Sequence, residues 1–474
     1  MKFLLVRDMP DHFYAHASKK VMKNFGVFPP LGLLTIASCL RDAGHQVAII
    51  DNEAEMLQLE ELDKRFDAFD PDVVGMSLWS SNLHYESNLA QRFKKRKQSL
   101  IVLAGGPHLD FYGKETLERF QHIDFGFIGE TEFTLVEWVR EMERPDGNPH
   151  KVPGLVYRSG GEVIANPPPP VENNMDQFPT PAYDLVPINK YFSVLSSQRP
   201  TIYMLGSRGC PFKCTFCPNS GGQRIRYYSP EKILKDFLHF HQSLGVKEIH
   251  FYDDTFTLHK KRIEKLCALF IENGMAKKVL WTVRARPDTV TPDLLMLMKK
   301  AGCYRVGFGV ESGNQFILDK MKRDMTLEQV EKAVQWCREA GLEVVTNFIL
   351  GYIGESKKTL HNTLSYAIRL NSDFAYFSMF RYLPNSPLWN DLPDDSPQKR
   401  EWENYAKHGI KSFNFDNISA EGLDYSQKYL KRFQTWCYFR FYWRPAKLIQ
   451  IMRSIKSMEQ FIAYAKEGLG LIGI

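Results

Sequence analysis

Twice along this chain, short apolar runs alternate with helical patterns, and that repetition restricts the fold more than any other feature. The first series is Phe3–Val6, Val47–Ile50, Val73–Met76, Ile101–Leu103 and Phe125–Ile128. Apolar runs separated by amphipathic helices close as parallel strands with crossovers, so residues 1–150 predict a doubly wound, Rossmann-like α/β domain. Its runs end in small or polar turns: Ser77 to Asn82, Gly105-Gly106-Pro107-His108 and Gly129-Glu130. In open α/β sheets the strand carboxyl ends form the ligand crevice, and these turns lie there.

Residues 151–195 read as a connector. Gly160-Gly161, four prolines at 167–170, and Pro179, Pro181 and Pro187 exclude helix interiors and central strands. The second series places strands near Ile202–Gly206, Glu248–Tyr252, Leu280–Val283, Arg305–Val310, Val344–Leu350 and Phe374–Met379. Six strands with helices between them predict a partial (β/α)6 TIM barrel over residues 196–390. Ser229 before Pro230, and Thr326 before Val330, Ala333, Val334 and Cys337, start two of its helices and make Cys337 a core residue. Residues 391–474 read as helical. Within them Tyr429 to Ile451 mixes basic and aromatic side chains, which suits capping the barrel, covering a substrate or resting peripherally on a membrane.

The formal charge of +6, from 61 basic and 55 acidic residues, lacks the dense clustering of a nucleic-acid protein, so no nucleic-acid partner is expected. No run approaches the roughly 18 apolar residues of a transmembrane segment, and the start has no signal-peptide pattern, so a cytoplasmic enzyme is expected. Of eight cysteines, Cys210, Cys214 and Cys217 are clustered and the others are scattered singly, which is not a disulfide framework.

The segment GCPFKCTFCPNS directly follows the first strand of the second series. It supplies three soft thiolates within one loop, as an iron–sulfur cubane requires. A structural zinc site closes with four ligands, yet no other Cys or His lies between Asp184 and His239. A four-iron cluster held at three corners leaves one iron open.

This CxxxCxxC spacing, with Phe216 before the last cysteine, resembles the signature of the radical S-adenosylmethionine (SAM) superfamily. The resemblance implies a [4Fe-4S] cluster on Cys210, Cys214 and Cys217, SAM chelated by the open iron, and reductive cleavage to a 5′-deoxyadenosyl radical within a shielding barrel. It also implies a one-electron reductant such as flavodoxin or ferredoxin. Other strand ends match in place. Asp253 and Asp254 in FYDDTFT stand where the family binds the SAM amine, in an acidic variant of that motif. Arg284 in WTVR suits the SAM carboxylate. Glu311 and Ser312 in GFGVESGNQ stand where ribose and methionyl groups are contacted. Gly351 in NFILGYIGE is similar to the GxPGE segment whose backbone meets adenine, with Ile353 replacing the proline and Glu355 ending it.

The segments PPLGLLTIASCLRDAGHQVAIID, GMSLWSSN, LAGGPH and GFIGETE resemble the cobalamin-binding branch of that superfamily. The resemblance implies cobalamin seated at Ser77, Gly105, Gly106 and Gly129. The DxHxxG loop that gives cobalt an axial histidine elsewhere is absent, because Asp11 and His12 are adjacent in RDMPDHFYAHAS. No cobalt ligand is therefore assigned, and His108 reads as a wall residue.

The activity implied is methylation of an unactivated carbon or phosphorus in a small-molecule, natural-product or lipid-like substrate. One SAM recharges methylcobalamin and a second generates the substrate radical. Two other readings stay open. One is non-methylating oxidation, cyclisation or rearrangement, as in the anaerobic magnesium-protoporphyrin monomethyl ester cyclase. The other is a methylthio transferase or partner-binding module, for which Cys39 alone cannot supply the second cluster.

Overall fold

The computed structural model describes residues 1–8, 26–80, 82–218, 224–408 and 417–454. Asp11 and His12 lie outside them. The chain separates into two units, one holding the first strand with residues 27–191, the other residues 192–402 with the carboxy-terminal helices.

The first unit alternates as the sequence predicts: β1 Lys2–Arg7, α1 Leu31–Asp42, β2 Gln46–Asp51, α2 Leu59–Phe69, β3 Val73–Ser77, α3 Leu83–Arg96, β4 Ile101–Gly105, α4 Leu109–Arg119, β5 Phe125–Phe127 and α5 Glu132–Glu143. The strands pair in the order β2-β1-β3-β4-β5, all parallel. The order reverses beside β1, which makes the carboxyl ends of β1 and β3 the switch point of a doubly wound sheet.

The sheet does not stop at residue 150. β6 Leu155–Ser159 and β7 Glu162–Ala165 add an antiparallel hairpin beyond β5, where the sequence suggested only a connector. Gly160-Gly161, which marked a loop, forms its turn, with both glycines at positive φ. The proline-rich remainder is tied to the same unit. Ser38 donates to the Thr180 carbonyl at 2.7 Å, and the buried Tyr191 hydroxyl donates to Asp51 at 2.6 Å. With φ locked and no ladder donors, such a segment is held by discrete side-chain bonds.

The second unit runs β8 Thr201–Met204, α6 Pro230–Leu244, β9 Glu248–Phe251, α7 Lys260–Glu272, β10 Leu280–Ala285, α8 Pro292–Lys300, β11 Cys303–Glu311, α9 Gln315–Lys320, α10 Leu327–Glu339, β12 Glu343–Leu350, α11 Lys357–Leu370 and β13 Phe374–Met379. The six strands pair in sequence order and in parallel, the partial barrel expected. Ser229 caps α6 through the Lys232 amide, and Thr326 with Gln329 forms a capping box on α10. Cys337 is buried in the core, and burial raises its thiol pKa.

A six-stranded open barrel leaves the last strand with unpaired backbone groups. Two further helices, α12 Gln427–Tyr442 and α13 Pro445–Ser454, follow in this unit, and α12 covers that edge. The Tyr442 hydroxyl accepts from the Ala375 amide at 2.9 Å and donates to its carbonyl at 3.0 Å. Tyr438 makes the same pair with Phe377 at 3.1 and 3.3 Å, and Gln434 donates to the Phe377 carbonyl at 2.7 Å. Positions 434, 438 and 442 share one helix face at four-residue spacing. Among the described residues no helix is long and apolar enough to cross a membrane.

Tyr438→Phe and Tyr442→Phe should each cost about 1–3 kcal/mol, because an edge amide loses its partner. Urea denaturation followed by circular dichroism checks this, with the double variant close to the sum.

Candidate active site

The cysteine loop leaves the end of β8 and is fastened at both ends. At its foot, the buried Asp253 after β9 accepts from the Gly206 amide at 2.7 Å and the Ser207 hydroxyl at 2.5 Å. Burial pushes this carboxyl up to about 6, against the pull of those two bonds. Further along, the Thr215 amide donates to the Met321 carbonyl at 3.1 Å, and its hydroxyl meets the Tyr352 hydroxyl at 2.6 Å. Phe216 packs against the apolar cluster of Ile317, Met321, Tyr352 and Phe380, so the aromatic residue of the motif is a peg into the core.

Cys214 is buried, while Cys210 and Cys217 are partly accessible. Arg323 donates to the Cys214 sulfur at 3.2 Å, and Arg286 lies 4.0 Å from it. Arg286 stacks 3.6 Å over the Phe212 ring and is held by Asp288 through two bonds of 2.9 Å. Arg323 also donates to the Gly309 carbonyl at 2.6 Å and stands 3.8 Å from Glu311. Sequence reasoning missed both arginines. Arg286 follows Arg284 by two residues on one strand end, but Arg323 sits in a turn with no motif to mark it.

Glu311 ends β11 after a register shift and has φ of +69°. A non-glycine residue held there stores local strain, which needs a packed neighbour to maintain it. Burial lifts its carboxyl above the usual range despite Arg323. The structure thus joins Glu311 to Cys214 through Arg323. Asp254 is exposed and near enough to raise the pKa of Cys210, after burial the largest carboxylate influence on it. Arg284 is also exposed, its guanidinium 3.6 Å over the Tyr252 ring. The Ser312 hydroxyl lies 3.2 Å from that of Thr363 and accepts from the Asn314 amide, so it holds the turn after β11. Gly351 has φ of +81°, and a β-carbon there would stand 2.5 Å from Leu430 of α12. Glu355 folds back to accept from the Gly351 and Tyr352 amides at 2.6 and 3.1 Å, and burial pushes it up to about 7.

In the first unit the small residues gather at the carboxyl ends of β3, β4 and β5. Gly106 has φ of +97°, and a β-carbon would stand 2.9 Å from the Leu78 carbonyl, so only glycine fits. Ser77 touches the same spot from the neighbouring strand. A β-carbon at Gly105 would meet nothing nearer than 4.0 Å, which leaves open space above that turn. The Gly129 amide donates to Asp110 at 2.7 Å. His108 is buried, 2.9 Å from the Ser80 hydroxyl, and burial lowers it to about 4. Burial therefore favours its neutral form.

A model of the radical SAM superfamily matches residues 204–367, and a model of the B12 binding domain matches residues 21–139. An uncharacterized methyltransferase of Pyrococcus horikoshii is 33% identical over 458 residues, spanning 95% of this chain and 94% of that protein. This chain belongs to the cobalamin-binding branch of the radical SAM superfamily. The anaerobic magnesium-protoporphyrin IX monomethyl ester cyclase of Rubrivivax gelatinosus is 27% identical over 376 residues, or 78% of this chain and 67% of that one. The solved structure of the cobalamin-dependent SAM radical enzyme OxsB, with aqua-cobalamin and SAM bound, shares the fold at a TM-score of 0.72 and 18% identity, covering 99% of this chain and 72% of that one. This radical SAM protein is an enzyme of that branch, working with a [4Fe-4S] cluster, SAM and cobalamin.

The donor chemistry of the loop fits an anionic cluster. A mononuclear zinc draws its thiolates together on one centre, whereas a cubane sets each on a different iron. The Arg323 guanidinium at Cys214 would supply a counter-ion to a thiolate and an anionic cluster there.

Protonation of His108 ought to oppose folding. Its native pKa lies below the unfolded value, so its contribution is complete above about pH 6.5 and is lost as pH falls toward 4, by up to about 3 kcal/mol. His108→Leu should flatten this part of the stability profile, as measured by urea unfolding at a series of pH values.

Proposed function

We propose that Cys210, Cys214 and Cys217 hold the [4Fe-4S] cluster of an enzyme that methylates an unactivated carbon or phosphorus of a small-molecule, natural-product or lipid-like acceptor. The observation that carries the reading is the three-thiol loop with the Arg323 guanidinium 3.2 Å from Cys214. When bound, the cluster supplies the electron for SAM cleavage and cobalamin supplies the methyl group. Asp254, at the loop's open side, takes the SAM amine, and Arg284 takes its carboxylate. Glu311 faces the ribose and methionyl groups, and the Gly351 backbone meets adenine. Asp253 and Ser312, whose oxygens bind neighbouring backbone, act by positioning the loop and turn that carry these contacts. Ser77, Gly105, Gly106 and Gly129 seat the corrin and its tail, with the clearance over Gly105 supporting the approach of a flat ring. Flavodoxin or ferredoxin provides the electron.

Replacement of any one of Cys210, Cys214 or Cys217 by Ala should abolish 5′-deoxyadenosine formation in anaerobically reconstituted protein. Retained cleavage in any of the three refutes the assignment. Gly106→Ala should weaken cobalamin binding, followed by its visible spectrum, while iron content stays intact. Product mass then decides the reaction: a gain of one methyl group is expected, and a loss of hydrogen or an unchanged mass would mean the oxidative or rearranging chemistry instead.

A further inference from the structure

The helix α12 is apolar on both sides. Its inner face, with Leu430, Phe433, Cys437 and Phe441, is buried, beside the half-buried tyrosines that seal the edge of β13. Edge sealing accounts for that face alone. On the outer face Trp436, Phe439 and Trp443 are 42%, 42% and 45% exposed. These rings stack in a ladder, 5.7 Å from Trp436 to Phe439 and 5.8 Å from Phe439 to Trp443. Lys428, Arg432 and Arg440 share the stripe at four-residue spacing, with Arg440 5.3 Å over the Trp436 ring. On α13, which follows directly, Leu448, Ile449 and Met452 are exposed as well. Contiguous large apolar side chains on a surface mark a contact site.

Charge selects the partner. Between Asp424 and Glu459 the sequence has eight Lys or Arg and no Asp or Glu. A second copy of the same face would set cation against cation, which disfavours self-association. Indole and phenyl rings interleaved with long cationic side chains match the boundary of a bilayer, where rings sit at headgroup depth and cations reach anionic phosphates. We propose that the outer face of α12, extended by α13, docks this enzyme on the surface of an anionic lipid bilayer. The contact is peripheral and independent of the methyl-transfer reading, since none of its residues belongs to the cofactor sites.

The test is flotation of the full-length protein with vesicles of phosphatidylcholine alone or mixed with phosphatidylglycerol. Binding is expected to the anionic vesicles and to weaken with salt. Trp436→Ser with Trp443→Ser, and separately Lys428→Glu with Arg432→Glu, should each reduce it at least tenfold, since each cation near such a surface contributes roughly fivefold. Thermal melting and SAM cleavage in solution, unchanged in these variants, confirm that they fold. The proposal is overturned if the wild type fails to float with anionic vesicles, or if folded variants float as well as it does. It is equally overturned if light scattering shows a dimer that the tryptophan substitutions dissociate, for then the face covers a second copy.

Discussion

Parallel strand pairing is the constraint on which both units depend. A parallel ladder cannot be closed by a tight turn, so each strand returns through a helix and every carboxyl end emerges on one edge. In the second unit this brings the exits of β8, β9, β10, β11 and β12 to a common rim. The cysteine loop, Asp254, Arg284, Glu311 and Gly351 are all residues of such exits or follow them directly. No local preference of these segments would bring them together.

Within that rim, order is imposed by buried polar groups whose partners lie far away in sequence. Asp253 spends its carboxylate on Gly206 and Ser207, so the second strand of the barrel fixes where the cysteine loop begins. Thr215 and Phe216 are then pinned to the segment around Met321 and Tyr352, which fixes the loop's middle. A buried hydrogen-bonded carboxylate is costly to strand, and this makes the loop's position a property of the barrel rather than of the loop. Arg323 extends the same logic to charge, standing against Cys214, the Gly309 carbonyl and Glu311 at once. The left-handed backbone at Glu311 is maintained by that packing.

The last strand of the open barrel is a sheet edge, and α12 removes the liability there by presenting Gln434, Tyr438 and Tyr442 to the backbone of β13. The same helix brings Leu430 against Gly351, so the sealing element also shapes a turn of the candidate site. Its aromatic outer face is a separate feature, carried on a helix whose inner face already has a partner.

The alternation of strands and helices, the glycine turns, the three-cysteine loop and both helix caps were legible in the sequence, because each follows from local periodicity, steric demand or ligand spacing. Gly106 illustrates the point: glycine is required by a backbone angle, and the motif around it could be read directly. The hairpin β6–β7 is not legible in the sequence because its strands are short and lie on an edge, where proline and glycine nearby suggest a linker. Which of two adjacent aspartates is buried, which serine faces inward and which arginines reach Cys214 depended on contacts between segments tens of residues apart. Side-chain chemistry is written in the sequence, but the distance at which two charges meet is set only when the parallel strands have brought their ends together.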